Sequence, residues 1–321
     1  MTWKEEIISL SSIDIGDHTF RITTEENIEG LSCSIKNAGL INPPIVINGK
    51  SGYTVISGFR RIRAVQKLGW SNLTARVLDT RTTSLECAKV AVADNLMQHP
   101  LNLIETSRIY KLLSGFYVNE QDLLKTASIL GLPDNQFIVE KVIKLCDMPP
   151  AIQNSIISKT VSLVIALELG KLEQDAGIAI AILFDKLKPG LNKQREILTL
   201  LYEIASRESV SIIKLINGDE LQSILSDNES DRNQIINKLR QYLKKRRYPF
   251  ITKAENVFKR NIKELALERG MIIIPPANFE GNTFVLNLEF NNIKDLERQK
   301  EFLDKLIKNP AIERIISKST Y

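Results

Sequence analysis

The sequence predicts an α+β protein of several domains, with a small mixed α/β domain first, an all-helical middle and an α-β-β-α unit last. Up to residue 116, short β-branched runs alternate with amphipathic helix patterns. From there to residue 250 almost every apolar pattern has helical spacing, and two further strand-like runs, MIIIP and TFVLNLEF, follow. The length of 321 residues also favours more than one domain.

The composition is that of a soluble globular protein, with 43% apolar and 25% charged residues. No apolar run approaches the roughly 20 residues that span a bilayer. The start, MTWKEEIISLSS, lacks the basic head and apolar stretch of a signal peptide. We therefore expect a cytoplasmic protein that does not contact a membrane.

The three cysteines and two histidines argue against a metal or disulfide framework. Cys33, Cys87 and Cys146 lie far apart and form no CxxC pair. They are expected to be free thiols in a reducing compartment. With only His18 and His99 in the chain, a histidine-rich zinc site is not expected.

The first strand and helix have clear local signals. The run IISLSSIDI is the start of a strand. Residues 25–38 have apolar positions at helical spacing, with Thr24 as the expected N-cap and Gly39 as the expected end. PPIVING and YTVISG then form two β-branched runs around NGKSG, which predicts a hairpin.

A basic helix is predicted directly after the hairpin, from Gly58 to Gly69. The run LTARVLD is the next strand, and helices over 84–96 and 102–116 are separated by Pro100. These elements complete the predicted first domain, residues 1–116.

In the predicted middle domain, residues 117–215, two apolar helices, LLKTASIL and FIVEKVIKL, meet around Gly131 in a helix-turn-helix pattern. The second helix offers Gln136, Lys141 and Lys144 for DNA contact, although acidic neighbours oppose phosphate approach. A purely structural helix pair stays an open alternative.

A helical basic linker is predicted over 216–250. The stretch 238–263 carries ten Lys or Arg residues and one acidic residue. Such a concentration of positive charge favours sequence-independent contact with a phosphate backbone. The alternative is a solvated basic helix face. The densest cations are Lys244, Lys245, Arg246 and Arg247.

The last predicted domain, residues 251–321, has a helix over 253–269, two strands and a helix over 293–308. Two strands alone leave edges and an apolar face unpaired. A second subunit would cover both, so this unit is predicted to dimerise. A monomeric satellite domain is the alternative.

The junction from YTVIS through Gly58 into the basic helix predicts an anion site. The first turn of a helix offers unpaired amides and the positive end of the dipole. Arg60, Arg61 and Arg63 add guanidinium groups that bind phosphate oxygens. A surface basic helix is the alternative.

Two further segments suit a nucleotide. Asp94 and Asn95, near a helix end, can hold Mg²⁺ that bridges phosphates, or Asp94 can pair with an arginine. Alternatively, they cap their own helix. The corner Pro43-Pro44 after Gly39 offers backbone groups for a base.

These segments together resemble the N-terminal domain of the ParB family of chromosome and plasmid partition proteins. SIKNAGLINPPIVI, YTVISGFRRIRAVQKLGW and DNLMQHPLNLIE follow the family's order and spacing over residues 6–115. MPPAIQNSIISKTVSLVIALELGKL is similar to the segment after the family's helix-turn-helix, and the tail resembles its dimerisation domain. The resemblance implies a ParB/sulfiredoxin-like fold for the first domain.

The resemblance also implies a nucleotide site for CTP and Mg²⁺. It places Asp94 and Asn95 at the metal and the hydrolysed bond, with Asn95 also at the nucleotide. It places the base near Gly39, Leu40, Ile41 and Pro43, and the phosphates near Gly58, Phe59, Arg60, Arg61, Arg63 and Ala64.

The function implied is that of a nucleotide-switched clamp on double-stranded DNA. Such a protein is a homodimer through its C-terminal domain, is nucleoid- or plasmid-associated, and has a ParA-type ATPase as partner. It would serve chromosome partition or plasmid segregation.

Three residues depart from the family pattern. Phe59 and Asp94 stand where an acidic residue and a glutamate are usual, and Gln98 stands where an arginine is usual. The resemblance therefore supports nucleotide binding with at most slow CTP hydrolysis. Two alternatives stay open: a ParB-like nuclease or NTP-dependent kinase, and a DNA-binding adaptor whose nucleotide site has decayed.

Overall fold

The computed structural model describes residues 2–49 and 52–316. The chain divides into two compact units, Met1–Leu191 and Asn192–Tyr321. The sequence predicts four functional segments, which divide the chain more finely than these two units. That division stays a prediction. Within the described ranges no helix is both long and apolar enough to cross a membrane.

The first unit begins with a five-stranded mixed sheet of order β1-β5-β3-β4-β2. Its strands are β1 (Trp3–Ser9), β2 (Ile13–Asp14), β3 (Ile45–Gly49), β4 (Gly52–Ser57) and β5 (Asn72–Leu78). The run IISLSSIDI is thus two strands, because Leu10–Ser12 form a 3-10 turn that Ser9 caps. β1 pairs antiparallel with β5 and β2 pairs parallel with β4.

The predicted hairpin is confirmed, since β3 and β4 pair antiparallel. Its turn residues, 50 and 51, lie outside the described residues. Two helices, α1 (Glu29–Ala38) and α2 (Phe59–Lys67), pack together beside the sheet. Ile35, Ile62 and Ala75 are among the buried side chains of the core that they share with it.

The start of α1 differs from the prediction. The helix begins at Glu29 rather than at residue 25, and Thr24 is not its cap. Instead the amide and hydroxyl of Thr24 donate to a carboxylate oxygen of Glu105, at 2.9 and 3.3 Å. Glu105 is only 1% exposed, and a buried carboxylate needs such donors. Gly39 ends the helix as predicted, with φ of 79°.

Two longer helices complete the surroundings of the site: α3 (Ser84–Gln98) and α4 (Leu103–Ser114). Each begins with a capping box, formed by Thr83 with Glu86 and by Asn102 with Glu105. α3 runs past the predicted end at residue 96, so residues 94, 95 and 98 all lie in its last turns.

The rest of the first unit is helical, as predicted. A helix pair lies around Gly131, where the pattern placed it. The helices are α5 (Glu120–Ile129), α6 (Gln136–Val142), α7 (Pro150–Ile157), α8 (Leu163–Leu169) and α9 (Gln174–Leu187).

The second unit is also largely helical and ends in the predicted α-β-β-α order. Its helices before the sheet are α10 (Leu191–Glu208), which starts at the boundary, α11 (Ile212–Ile216), α12 (Asp219–Leu225), α13 (Arg232–Arg247) and α14 (Pro249–Leu265). Strands β6 (Met271–Ile274) and β7 (Val285–Leu288) pair antiparallel and precede α15 (Ile293–Ile307) and α16 (Pro310–Ile316). α16, which was not predicted, packs against α14.

The Glu105 contact gives a stability test. Replacing Glu105 by Ala leaves the Thr24 and Asn102 amides without their acceptor, since Asn102 N–H also donates to this carboxylate at 3.1 Å. We expect a loss of about 2–4 kcal/mol in the free energy of unfolding. Urea unfolding followed by tryptophan fluorescence measures it, because both tryptophans, Trp3 and Trp70, lie in the first unit.

The matched control is Glu86→Ala, which removes the same capping-box group from α3 at an exposed position. We expect a clearly smaller loss there. Equal losses in the two variants would contradict a special role for the Glu105–Thr24 contact.

Candidate functional site

A cavity of about 340 Å³ lies where β4 ends, α2 begins and α3 ends. It brings together six of the residues predicted for the nucleotide and its metal: Gly58, Phe59, Arg60, Arg61, Asp94 and Asn95. Eight others also line it: Ile22, Thr23, Leu31, Asn42, Ser57, Arg76, Gln98 and His99.

The turn at Gly58 positions the start of α2. Gly58 has φ of 96°, and a Cβ there would lie 2.8 Å from Cβ of Pro44. The close approach of Pro44 therefore requires a glycine at position 58, whether or not a ligand binds there. The hydrogen-bond ladder of α2 starts with the amide of Ile62 and the carbonyl of Gly58, at 3.1 Å. The amides of residues 59–61 precede that ladder and carry the positive end of the helix dipole.

Arg61 ties three segments of the cavity together. Its Nη1 donates to the carbonyls of Asn42 and Pro43, each at 3.1 Å, and its Nη2 donates to Oδ2 of Asp94 at 2.9 Å. The side chain is only 13% exposed. The pairing of Asp94 with an arginine, one of the two roles expected for it, is thus present.

Asp94 accepts hydrogen bonds from three side chains of the site. Besides Arg61, its Oδ2 accepts hydrogen bonds from the Ser57 hydroxyl and, at 2.7 Å, from Nε2 of Gln98. Gln98, which replaces the family's usual arginine, is therefore part of this network. Hydrogen bonds from three side chains fix the orientation of the carboxylate.

The donor set around Asp94 fits Mg²⁺ only in part. All three hydrogen bonds go to Oδ2, which leaves Oδ1 as the oxygen for a cation. Asn95 is buried and its Nδ2 donates to the carbonyl of Ala91 at 2.8 Å, which leaves its Oδ1 as a second oxygen. Over residues 2–49 and 52–316 no group of three or more His, Cys, Asp or Glu could hold a metal. Mg²⁺ here would need phosphate oxygens and water to complete its shell.

Arg60 holds the loop before α1 against the cavity. Its Nη1 lies 3.0 Å from a carboxylate oxygen of Glu25, and its Nη2 donates to the carbonyl of Asn27 at 2.7 Å. Its Nε is buried and has no hydrogen-bond partner among the described residues. One N–H group of this guanidinium therefore lacks an acceptor from the described part of the protein.

The other predicted nucleotide residues lie outside the cavity lining. Ala64 is fully buried in the core, because its side of α2 faces the sheet, so it supports the helix without reaching a phosphate. Arg63 is partly buried on α2. Of the segment expected at the base, Pro43 is buried and its carbonyl accepts a hydrogen bond from Arg61. Gly39, Leu40 and Ile41 do not line the cavity.

Sequence reasoning missed the third arginine of the cavity, Arg76 on β5. Its Nε donates to a carboxylate oxygen of Glu5 on β1 at 3.2 Å. Strand alternation could have pointed to it, because Ala75 and Val77 on either side pack toward the core.

The three residues proposed for DNA contact in the middle domain are exposed, but Lys144 follows the end of α6 rather than lying on it as predicted. Lys141 and Lys144 face solvent, whereas Nε2 of Gln136 donates to carboxylate oxygens of Glu120 and Glu140, at 3.0 and 3.1 Å. Gln136 would have to leave these acids before it could reach a base.

The basic segment is less positive than its sequence indicates. Lys244 pairs with Glu196 at 2.9 Å, Arg246 with Glu208 at 2.6 Å and Arg247 with Glu203 at 2.7 Å. The hydrogen bonds from Arg246 hold the pKa of Glu208 below its ordinary value. Lys245 is exposed. Acids from α10 thus offset three of the four predicted cations, which a count along 238–263 cannot show.

Comparison with known proteins agrees with the resemblance seen in the sequence. A family model described as ParB N-terminal domain matches residues 4–96. A nucleoid occlusion protein of Oceanobacillus iheyensis is 34% identical over 198 residues, which is 60% of this chain and 67% of that protein. The nucleoid occlusion protein of Bacillus licheniformis is 32% identical over 201 residues, or 61% and 69% of the two chains.

Among solved structures, a C-terminally truncated chromosome-partitioning protein ParB from Caulobacter crescentus, complexed with CTP-gamma-S, is 22% identical. The match covers 56% of this chain and 98% of that one, with a TM-score of 0.27. The family model and the identity to proteins matched over two thirds of their length establish the relationship: the chain is a member of the ParB family.

Proposed function

We propose that this protein is a CTP-dependent, dimeric DNA-binding clamp of the partition type. One observation carries the proposal: the start of α2, with Arg60 and Arg61, lines the same cavity as Asp94, which Arg61 contacts directly. Its volume of about 340 Å³ lies in the range of ligand pockets, roughly 300–1,000 Å³.

The geometry favours a polyphosphate as the ligand. Amides at a helix start and guanidinium groups are the two protein features that bind phosphate oxygens best. The choice of cytidine among the bases rests on membership of the ParB family. Asp94 and Asn95 would hold Mg²⁺ together with the phosphates, and Mg²⁺ would supply further charge neutralisation there.

A chain of contacts links the cavity to the helical part of the first unit. A phosphate that binds Arg60 competes with Glu25 for its guanidinium. Thr24, next to Glu25, is held by Glu105 on α4. α4 packs against α6, and the Ser107 hydroxyl of α4 donates to the carbonyl of Ile143 at 3.2 Å. Nucleotide can shift this unit between two states only through a difference in affinity for them.

In the first unit, the DNA contact is proposed at α5 and α6, through Lys141 on α6 and Lys144 just after it. In the second unit, Lys245 is proposed to contact phosphate. The relatives are named nucleoid occlusion proteins, which favours chromosomal DNA over a plasmid for this chain. A ParA-type ATPase is the partner expected of a partition system.

The dimer is proposed at the sheet of the second unit. Ile272, Ile274 and Val285 lie on one face of the β6–β7 pair and are exposed. An apolar sheet face and two strand edges that pair with no other strand of the described residues are the features that a second copy would cover.

The nucleotide site is tested by titrating CTP, ATP and GTP into the protein with Mg²⁺, with and without DNA. We expect CTP to bind in preference. Arg60→Ala should reduce CTP affinity by roughly 10–100-fold, because it removes a charged hydrogen-bond donor. Arg81→Ala is the matched control, since Arg81 is exposed and pairs only locally with Asp79. Its affinity should equal that of the wild type.

Other results would select other functions. Failure of the wild type to bind any nucleotide would support the adaptor with a decayed site. Phosphate transfer to a small molecule or protein, or cleavage of DNA, would support the enzyme alternative.

The dimer is tested by Ile272→Lys, which places a charge on the exposed sheet face. We expect a dimer to become a monomer in analytical ultracentrifugation, because the lysine would be buried without a partner. Ile182→Lys on α9 is the matched control, since Ile182 is 57% exposed and Ile272 is 54% exposed. A dimer that survives Ile272→Lys would place the interface elsewhere.

A further inference from the structure

The three arginines that line the cavity differ in how strongly the protein already holds them. Arg61 is 13% exposed and donates to three protein acceptors. Arg60 is 28% exposed and contacts Glu25 and the Asn27 carbonyl. Arg76 is 36% exposed, and its side chain pairs with the carboxylate of Glu5, which is 53% exposed. Solvent screens such an exposed pair, so it contributes little.

The backbone places Arg76 beside the anion-binding turn. Its amide donates to the carbonyl of Pro44 at 2.8 Å. Pro44 is the residue against which Gly58 packs, where a Cβ on Gly58 would clash. Because Ala75 and Val77 pack toward the core of α1 and α2, the side chain of Arg76 leaves β5 on the opposite face.

Gln98 adds no positive charge to the cavity. It lines the same cavity as Arg76, and its neutral amide is engaged with Asp94. A polyphosphate carries several negative charges, and one of the two guanidinium groups at the start of α2 is already matched by Asp94, so a further guanidinium would strengthen binding. Arg76 is the cavity arginine that costs least to redirect, because leaving Glu5 exposes both groups to water rather than burying a charge.

We infer that Arg76 is a further nucleotide-binding residue, which leaves Glu5 to bind the phosphate chain and supplies the positive charge that position 98 lacks. This inference rests on the proposed function and adds to it a residue that the family's motifs do not include. The ligand class is a nucleoside triphosphate, and the contact is to phosphate oxygens.

The test compares CTP affinity by calorimetric titration of the full chain with Mg²⁺. Arg76→Ala should weaken CTP binding by roughly 10–100-fold, the loss of a charge-assisted hydrogen bond. Adding the family's arginine at the other position, in Arg76→Ala/Gln98→Arg, should restore most of the affinity. If the added Gln98→Arg change does not restore the affinity, an arginine at position 98 cannot replace the charge of Arg76, and this part of the inference is overturned.

Glu5→Gln is the matched control, because it breaks the same ion pair and keeps the guanidinium. It should bind CTP at least as tightly as the wild type. A loss equal to that of Arg76→Ala would mean that Arg76 acts only through the pairing of β1 with β5, and the inference would fail. Far-ultraviolet circular dichroism and thermal unfolding confirm that each variant is folded.

The two possible failures are distinguishable. If the wild type does not bind CTP, the proposed function is wrong. If the wild type binds CTP and Arg76→Ala binds it equally well, the function stands and only the role of Arg76 is wrong.

Discussion

The contact between Arg61 and Asp94 is the interaction on which the candidate site depends. It joins the proline corner, the start of α2 and the end of α3 around one cavity, because Arg61 also donates to the carbonyls of Asn42 and Pro43. Both side chains are largely shielded from water, so removing either partner leaves a charge without compensation. The proposed ligand competes with this pair, because phosphates and Mg²⁺ would bind the same guanidinium and carboxylate groups that link these segments in the free protein.

Local signals in the sequence predicted the elements that make the site. Neighbouring residues alone signal the strand that ends before Gly58 and the helix that follows it, and the structure confirms both elements. The start of α1 was wrong because the partner of Thr24 is Glu105, far along the chain, so no local pattern reveals it. Arg76 was missed for a similar reason: its place in the cavity depends on the pairing of β5 with β1 and β3, which a strand pattern alone does not give.

The number of cations along a segment does not give the net charge of the surface that the segment forms in the folded protein. The basic run of α13 was predicted as a DNA-binding stretch, but α10 brings Glu196, Glu203 and Glu208 against it. The departures from the family pattern are likewise explained by packing. Phe59 is buried in the core between α2 and the sheet, and Gln98 stabilises the carboxylate of Asp94. Neither residue adds a charge to the cavity, so its positive charge comes from the arginines that line it.

The central claim is that the amides and guanidinium groups at the start of α2 receive a polyphosphate. Hydrogen–deuterium exchange with and without CTP and Mg²⁺ tests it without altering the chain. The amides of residues 59–61 precede the helix ladder, so they should exchange readily in the free protein and slowly once phosphate oxygens accept from them. Slower exchange centred on this segment is the predicted result. Tight CTP binding that leaves residues 59–61 unchanged and protects another part of the chain would contradict the account.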